Sequence, residues 1–320
     1  MPIAPAISRR TLWLGYGACA LAGSLWGTGF FFGRIAMNEM SVEYMVLYRF
    51  LFACAGLLPM AIIHRVRLTR GELKLLLISA FLGVPLQFLM QFHGLALTTV
   101  SHAALMVGTM PVLLAAAAAL FAGERLDWVG WVALCCSSLG AALIVLGGTH
   151  GHPARGEPTF RGDLLVVVSL CIALAWVLIS KKLMESHSPP VVTAYTLLAG
   201  TVMLAAWILG ARLLNHWIPN HSAPVPFAHV SLKAWGALAA SGLACTATTT
   251  LLWNWGIHHV PASRAGVFLN IEPALGSFLG VKLLGEHLGP FAWLGGSLIV
   301  GAAITLTTRE HESAPAIILE

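Results

Sequence analysis

Charge is what this 320-residue chain has least of. Asp, Glu, Lys and Arg together make up 10% of it, against about 25% in ordinary soluble domains. Hydrophobic residues reach 58%, and the mean hydropathy is +0.83. So little charge cannot clothe a water-facing surface. That excludes a soluble globular protein and leaves a polytopic, all-α membrane protein whose partners are the lipid bilayer and a small-molecule substrate. The formal charge of +5 implies no nucleic acid, because basic residues collect in the cytoplasmic loops of membrane proteins for topological reasons. Six cysteines (Cys19, Cys54, Cys135, Cys136, Cys171 and Cys245) fall inside apolar segments, with no loop pair and no CxxC. A disulfide framework and a cysteine metal site are therefore not indicated, and all six read as buried small hydrophobes. Also missing are GxxxxGK[ST], HExxH and GxSxG. ATP-driven pumping within the chain, and an enzyme of the classes those motifs mark, find no support, and no cofactor is implied.

What is present is a duplication. Ser263–Glu286 (SRAGVFLNIEPALGSFLGVKLLGE) repeats Ser101–Glu124 (SHAALMVGTMPVLLAAAAALFAGE). With Gly94 laid on Gly256, the alignment runs without gaps to Trp131 and Trp293. It matches Ser101/Ser263, Pro111/Pro273, Gly123/Gly285, Glu124/Glu286 and Leu126/Leu288. Copies about half a chain apart mean two related halves.

A membrane-crossing helix needs about 20 mostly apolar residues. By that rule ten transmembrane helices are expected, near 12–35, 44–63, 73–93, 98–121, 128–147, 163–181, 190–212, 232–256, 261–284 and 289–307. The N-terminal Arg9-Arg10 and the apolar run after it resemble a secretory signal. The run exceeds a signal core of roughly 7–15 residues, so it reads as a retained first span. The halves are 1–147 and 163–308, joined by a Gly/Pro/His-rich linker at 148–162 and followed by a cytoplasmic tail at 309–320. Five spans per half is odd, so the second half enters the membrane from the other side and the repeats are inverted, an arrangement typical of secondary transporters. With both termini cytoplasmic, eleven Lys and Arg fall on the inner side and six on the outer, Arg49 being left out as lying within a span. That bias favours this orientation in an inner (plasma) membrane.

The pattern of motifs resembles the drug/metabolite transporter superfamily, specifically its EamA-type members. Leu25-Trp26-Gly27, Tyr48-Arg49-Phe50, Pro111 with Leu120–Glu124, and Glu272-Pro273 with Leu283–Glu286 carry the likeness, which extends from Leu12 to Thr308. The resemblance implies a ten-helix transporter with a central cavity between the halves, commonly an exporter of amino acids, metabolites or drugs. One departure stands out: Met110-Pro111 in the first copy is Glu272-Pro273 in the second.

Ionisable side chains inside a span are expensive and mark function unless satisfied structurally. Glu272 reads either as a proton-titrating or cation-pairing carboxylate, or as one satisfied by Asn270, Arg49 or backbone freed at Pro273. Arg49 reads as a partner for an anionic substrate group, or as snorkelling to the interface or paired with Glu43. Gln87 and Gln91 share one helix face, and Thr249 and Trp253 are their counterparts in the second half. These residues line a cavity or join helices by hydrogen bonds. Trp26 and Trp176 pair across the halves and are expected to face the cavity. Asn270 completes the candidate substrate-binding set. His102 and its counterpart Arg264 are gate groups or, on the blander reading, interfacial anchors. Glu124 and Glu286 are helix-end residues, and the loop histidines His150, His152, His216, His221 and His229 are solvated. Gly23-x3-Gly27, Gly29-x3-Gly33 and Gly276-x3-Gly280 mark close helix contacts, static or sliding. No oligomeric state follows from the sequence.

Overall fold

The computed structural model describes residues 9–63, 68–110, 112, 113, 116, 128–147, 157–215, 229–259 and 266–313. Pro111, Glu124, Arg264, His150, His152, His216, His221 and most of the linker lie outside the described residues. The described residues form helices and turns and build no sheet, as lipid demands: a backbone N–H or C=O left bare in hydrocarbon costs several kcal/mol, and a helix satisfies both within one segment. The protein is an all-α membrane protein.

The helices are α1 (Arg9–Gly27), α2 (Gly29–Met37), α3 (Val42–Ile63), α4 (Arg70–Phe81), α5 (Gln87–Leu97), α6 (Val100–Val107), α7 (Trp128–Gly147), α8 (Phe160–Met184), α9 (Pro189–Asn215), α10 (Leu232–Ala239), α11 (Thr249–His259), α12 (Ile271–Leu283) and α13 (Pro290–Ser313). Among the described residues, four continuous helices are long and apolar enough to cross a membrane: Val42–Ile63, Arg70–Leu97, Phe160–Met184 and Pro189–Leu213. Trp128–Ile144 and Pro290–Thr305 are shorter apolar helices.

Three departures from uniform spans matter. The first expected span is two helices, broken at Thr28, where the amide and hydroxyl of Thr28 both donate to the Leu25 carbonyl at 3.2 and 2.7 Å. The third and eighth carry π-helical turns, Leu82–Leu86 and Ala240–Thr248. Pro85 explains the first, since it has no N–H and its ring pushes away the carbonyl four residues back. In the second, Thr246 and Thr249 donate to carbonyls five residues earlier, Ser241 and Ala244, at 3.1 and 2.7 Å. The described part of the ninth span opens on a 3-10 turn, Gly266–Asn270, and becomes α12 at Ile271. Pro273 then falls in the first turn of α12, where no intrahelical donor is required. A matching break follows α6 at Gly108-Thr109, whose amides turn back to Leu105 and Met106.

Packing crosses between the halves. α1 lies along α11 and α12, α5 along α8, α6 along α12, α7 along α13, and α3 along α9. The glycine spacings serve close approach. A Cβ on Gly27 would sit 3.0 Å from the Glu272 carbonyl, and one on Gly276 would run into Ala104. Helix starts are fixed by caps. Thr69 and Glu72 form a capping box at α4. Ser231 caps α10 and receives its acid from far away, as Glu39 accepts from the Ser231 amide and hydroxyl at 2.6 Å each. Those bonds hold the Glu39 carboxyl below the usual carboxylate range. Two cysteine readings need correction: Cys135 and Cys171 are exposed. Their surroundings are lipid, so an apolar side chain loses nothing there.

Gly242 gives a stability test. A Cβ there would run into the Arg49 carbonyl and Phe52, whereas Gly210 has open space around it. Gly242→Leu should destabilise the protein by about 1–3 kcal/mol through overpacking and lower the detergent-solubilised melting temperature. Gly210→Leu should leave it unchanged; equal shifts would refute the packing described.

Candidate functional site

Between the two halves lies a cavity of about 430 Å³. Its wall includes Trp26 from α1, Arg49 from α3, Gln87 and Gln91 from α5, Trp176 from α8, Trp253 from α11 and Glu272 from α12. Seven of the eight residues singled out from the sequence therefore meet in one space. Asn270 is not among the lining residues. It immediately precedes α12, and both of its amide atoms are buried without a hydrogen-bond partner.

Arg49 is the centre of the site. It is 6% exposed, so it does not snorkel to the interface. Glu43 is not its partner either, because that carboxylate meets His93 at 3.2 Å. The Arg49 guanidinium lies instead over the rings of Phe88 and Phe92, 5.1 and 5.3 Å from their centroids. Two of its nitrogens approach the Thr246 hydroxyl at 3.4 Å, the long end of hydrogen bonding. Cation–π contact holds the group without occupying its donors, which leaves a planar fork suited to a carboxylate. Glu272 lines the same cavity and attracts Arg49, yet no ion pair within 4 Å joins them. A guanidinium and a carboxyl group thus line the same space.

The rest of the wall is aromatic with sparse polar groups. The Trp26 and Trp253 rings pack at 5.4 Å with a 56° tilt. Trp176 is wedged against Gly83 in the first π turn, where a Cβ would come within 2.6 Å of the indole. The indole Nε1 of Trp176 and the Oε1 of Gln87 are buried without partners. One is a donor and the other an acceptor, and neither atom is open to the cavity as it stands. Sequence reading missed Phe88 and Phe92, and took Cys245 only for a buried small hydrophobe. The first two follow Gln87 and Gln91 by one residue, and Pro85 in the middle of a span was the signal that the helix there changes register.

His102 corrects another reading. It is buried beside Asp163, with Nδ1 at 3.1 Å from Oδ2, and is not an interfacial anchor. Glu286 does act at a helix end, but at the start of α6 rather than of its own helix.

An all-α membrane protein with a mostly apolar cavity that carries one arginine and one carboxyl group on its wall has the architecture of a solute transporter. Comparison with known proteins agrees. The chain belongs to the EamA-like transporter family, whose pattern matches residues 13–146 and 160–308. It is 22% identical over 311 residues to the inner membrane protein YtfF of Escherichia coli, covering 92% of this chain and 95% of that one. It is 23% identical over 304 residues to a probable terminal-alkyne amino-acid exporter of Streptantibioticus cattleyicolor, covering 93% and 96%. A solved crystal structure shares its fold with a TM-score of 0.58 at 20% identity, covering 94% of this chain and 99% of that chain.

Accessibility tests the cavity. With the native cysteines replaced, Gln87→Cys and Trp253→Cys should react with a water-soluble thiol reagent. Val202→Cys, at 69% exposure on α9, faces lipid and should not. Labelling of Val202→Cys alone would place water on the wrong side of the helices.

Proposed function

We propose that this protein is a secondary transporter of the inner (plasma) membrane that exports small metabolites, amino acids first among them, by alternating access through the central cavity. The carrying observation is Arg49, buried on two aromatic rings with only long contacts to the Thr246 hydroxyl on its donors, facing the same space as Glu272. A solute with a carboxylate and an ammonium group matches that pair, and Trp26, Trp176 and Trp253 offer apolar or aromatic contact to its side chain. The relative named as a probable amino-acid exporter supports this choice. A second reading, export of organic cations or nucleosides, is favoured by the Trp26–Trp253 pair beside Glu272, since aromatic faces attract cations and stack on planar rings. A facilitator without proton coupling is the further alternative.

Ten helices in two inverted repeats, 1–147 and 163–308, with a linker at 148–162, a cytoplasmic tail at 309–320 and both termini inside, complete the reading. Its support is a set of correspondences 162 residues apart. The caps Thr69 and Ser231, the π turns, and the breaks at Gly108 and Asn270 fall at equivalent places. The helix contacts also map onto themselves when the halves are exchanged: α1 with α11 corresponds to α8 with α5.

Glu272 is the proposed coupling group. A carboxyl group whose surroundings alternate between dry and wet changes its proton affinity, and such a change links proton movement to solute movement. Proteoliposomes offered amino acids, nucleosides and cationic dyes decide between the substrate classes. Arg49→Gln should reduce amino-acid transport at least about tenfold, as expected when a charge-assisted hydrogen bond of about 1.5–3 kcal/mol is lost. Glu272→Gln should abolish uptake driven by a pH gradient while sparing exchange. Full amino-acid transport in Arg49→Gln refutes the carboxylate reading, and an unaltered pH-gradient dependence in Glu272→Gln makes that residue structural.

A further inference from the structure

At one end of the cavity the chain builds a second polar cluster that the transport site does not use. Glu286 accepts three hydrogen bonds: from the Val100 amide to Oε1 at 2.7 Å, and from the Ser101 amide and hydroxyl to Oε2 at 2.8 and 2.6 Å. The acid thereby caps α6, a helix of the other half of the chain, beside its own-sequence cap Thr99. Gly285 makes the reach possible. It follows α12 with φ +68°, a conformation glycine adopts without strain, and the Glu286 amide turns back to Gly280. One residue along, His102 meets Asp163 of α8. Thr98 donates its hydroxyl to the other oxygen of Asp163, and Arg34 at the end of α2 donates to the Thr98 carbonyl. Arg34 also attracts Glu286.

The placement of this cluster is regular. Asp163 precedes the wall residue Leu170 by seven positions, His102 precedes Val107 by five, Thr98 follows Gln91 by seven and Arg34 follows Phe30 by four. At 1.5 Å per residue it lies roughly 6–10 Å beyond the cavity on four elements at once. Between them Phe92, Leu95, Ala103, Ala104, Met106 and Val166 are all 0% exposed. Along these elements the cavity wall is followed first by a dry layer and then by the charged one.

We propose that Glu286 and Asp163 are gating residues: they hold a latch that seals one mouth of the transport cavity and separates in each cycle. The chemistry suits a joint that opens. Buried ionic groups are costly to desolvate, so their net contribution to the closed state is small, and on opening they regain hydration that an apolar seal would lack. The closed and open states are thereby kept close in free energy, as a cyclic conformational change needs. The latch rests on the reading of the cavity as the transport path.

With the native cysteines replaced, Trp253→Cys, on the cavity wall, is the reporter. A membrane-impermeant charged maleimide is applied to either side of vesicles without substrate. Gly289→Cys, at a position with open space around it, identifies the latch side in a parallel sample. Glu286→Gln and the isosteric Asp163→Asn should raise labelling of Trp253→Cys from that side at least about fivefold. Ser101→Ala, which removes one of three donors to Glu286, should give a smaller rise and decides the matter if the other variants fail to fold. Unchanged labelling from the latch side in every folded variant, with Trp253→Cys reached from the opposite side, overturns the latch and leaves the transport path intact. A Trp253→Cys reached from neither side in any variant overturns both.

Discussion

Everything in this fold answers to the absence of water around the backbone. In hydrocarbon an unpaired peptide group costs several kcal/mol, so irregular backbone is tolerated only inside protein or beside a cavity. The irregularities here obey that rule. The break at Thr28, the π turns in the third and eighth spans, the turn at Gly108-Thr109 and the start of α12 at Ile271 all adjoin wall residues of the cavity. Their freed groups are met by hydroxyls, as at Thr28 and Thr246, or by short-range turns. The long uninterrupted helices carry the lipid-exposed leucines, valines and tryptophans.

A buried guanidinium is the costliest element of the site, and its surroundings show how it is supported. Phe88 and Phe92 supply quadrupole attraction, and Thr246 supplies a weak acceptor from the other half of the chain. Glu272 supplies opposite charge at a distance. None of these saturates the fork of donors. An arrangement meant only for stability would close the ion pair, because a lone buried charge is strongly destabilising when one partner is lost. Leaving the pair open is consistent with a site whose missing partner arrives with the solute.

How much of this was legible in the sequence differed by kind. Membrane class and family resemblance came through, and seven of the eight candidate residues lie on one cavity wall, because lipid exposure forces apolar runs and makes every intramembrane polar residue conspicuous. Helix register did not come through. A π turn adds one residue without changing composition, and only Pro85 announced one. Long-range partners were also invisible. Nothing near Arg49 in sequence foretold Thr246, and nothing near Glu286 foretold Ser101, which meets it across 185 positions. Glu43 seemed the natural mate for Arg49, but on a helix six residues carry a side chain well past the same face.

The π turns have a consequence for how such a cavity diversifies. An α-helix advances about 100° per residue, so one surplus residue in a span rotates everything beyond it by that angle while the helix ends stay anchored by their caps. In the third span the stretch before the turn presents Ser79 to Ser180 of α8 at 2.7 Å, and the stretch after it presents Gln87 and Gln91 to the cavity. Removing the surplus residue would swing a different stripe of side chains into the same space with no substitution at all. Helix length, counted in single residues, is in this architecture a determinant of what the cavity can recognise.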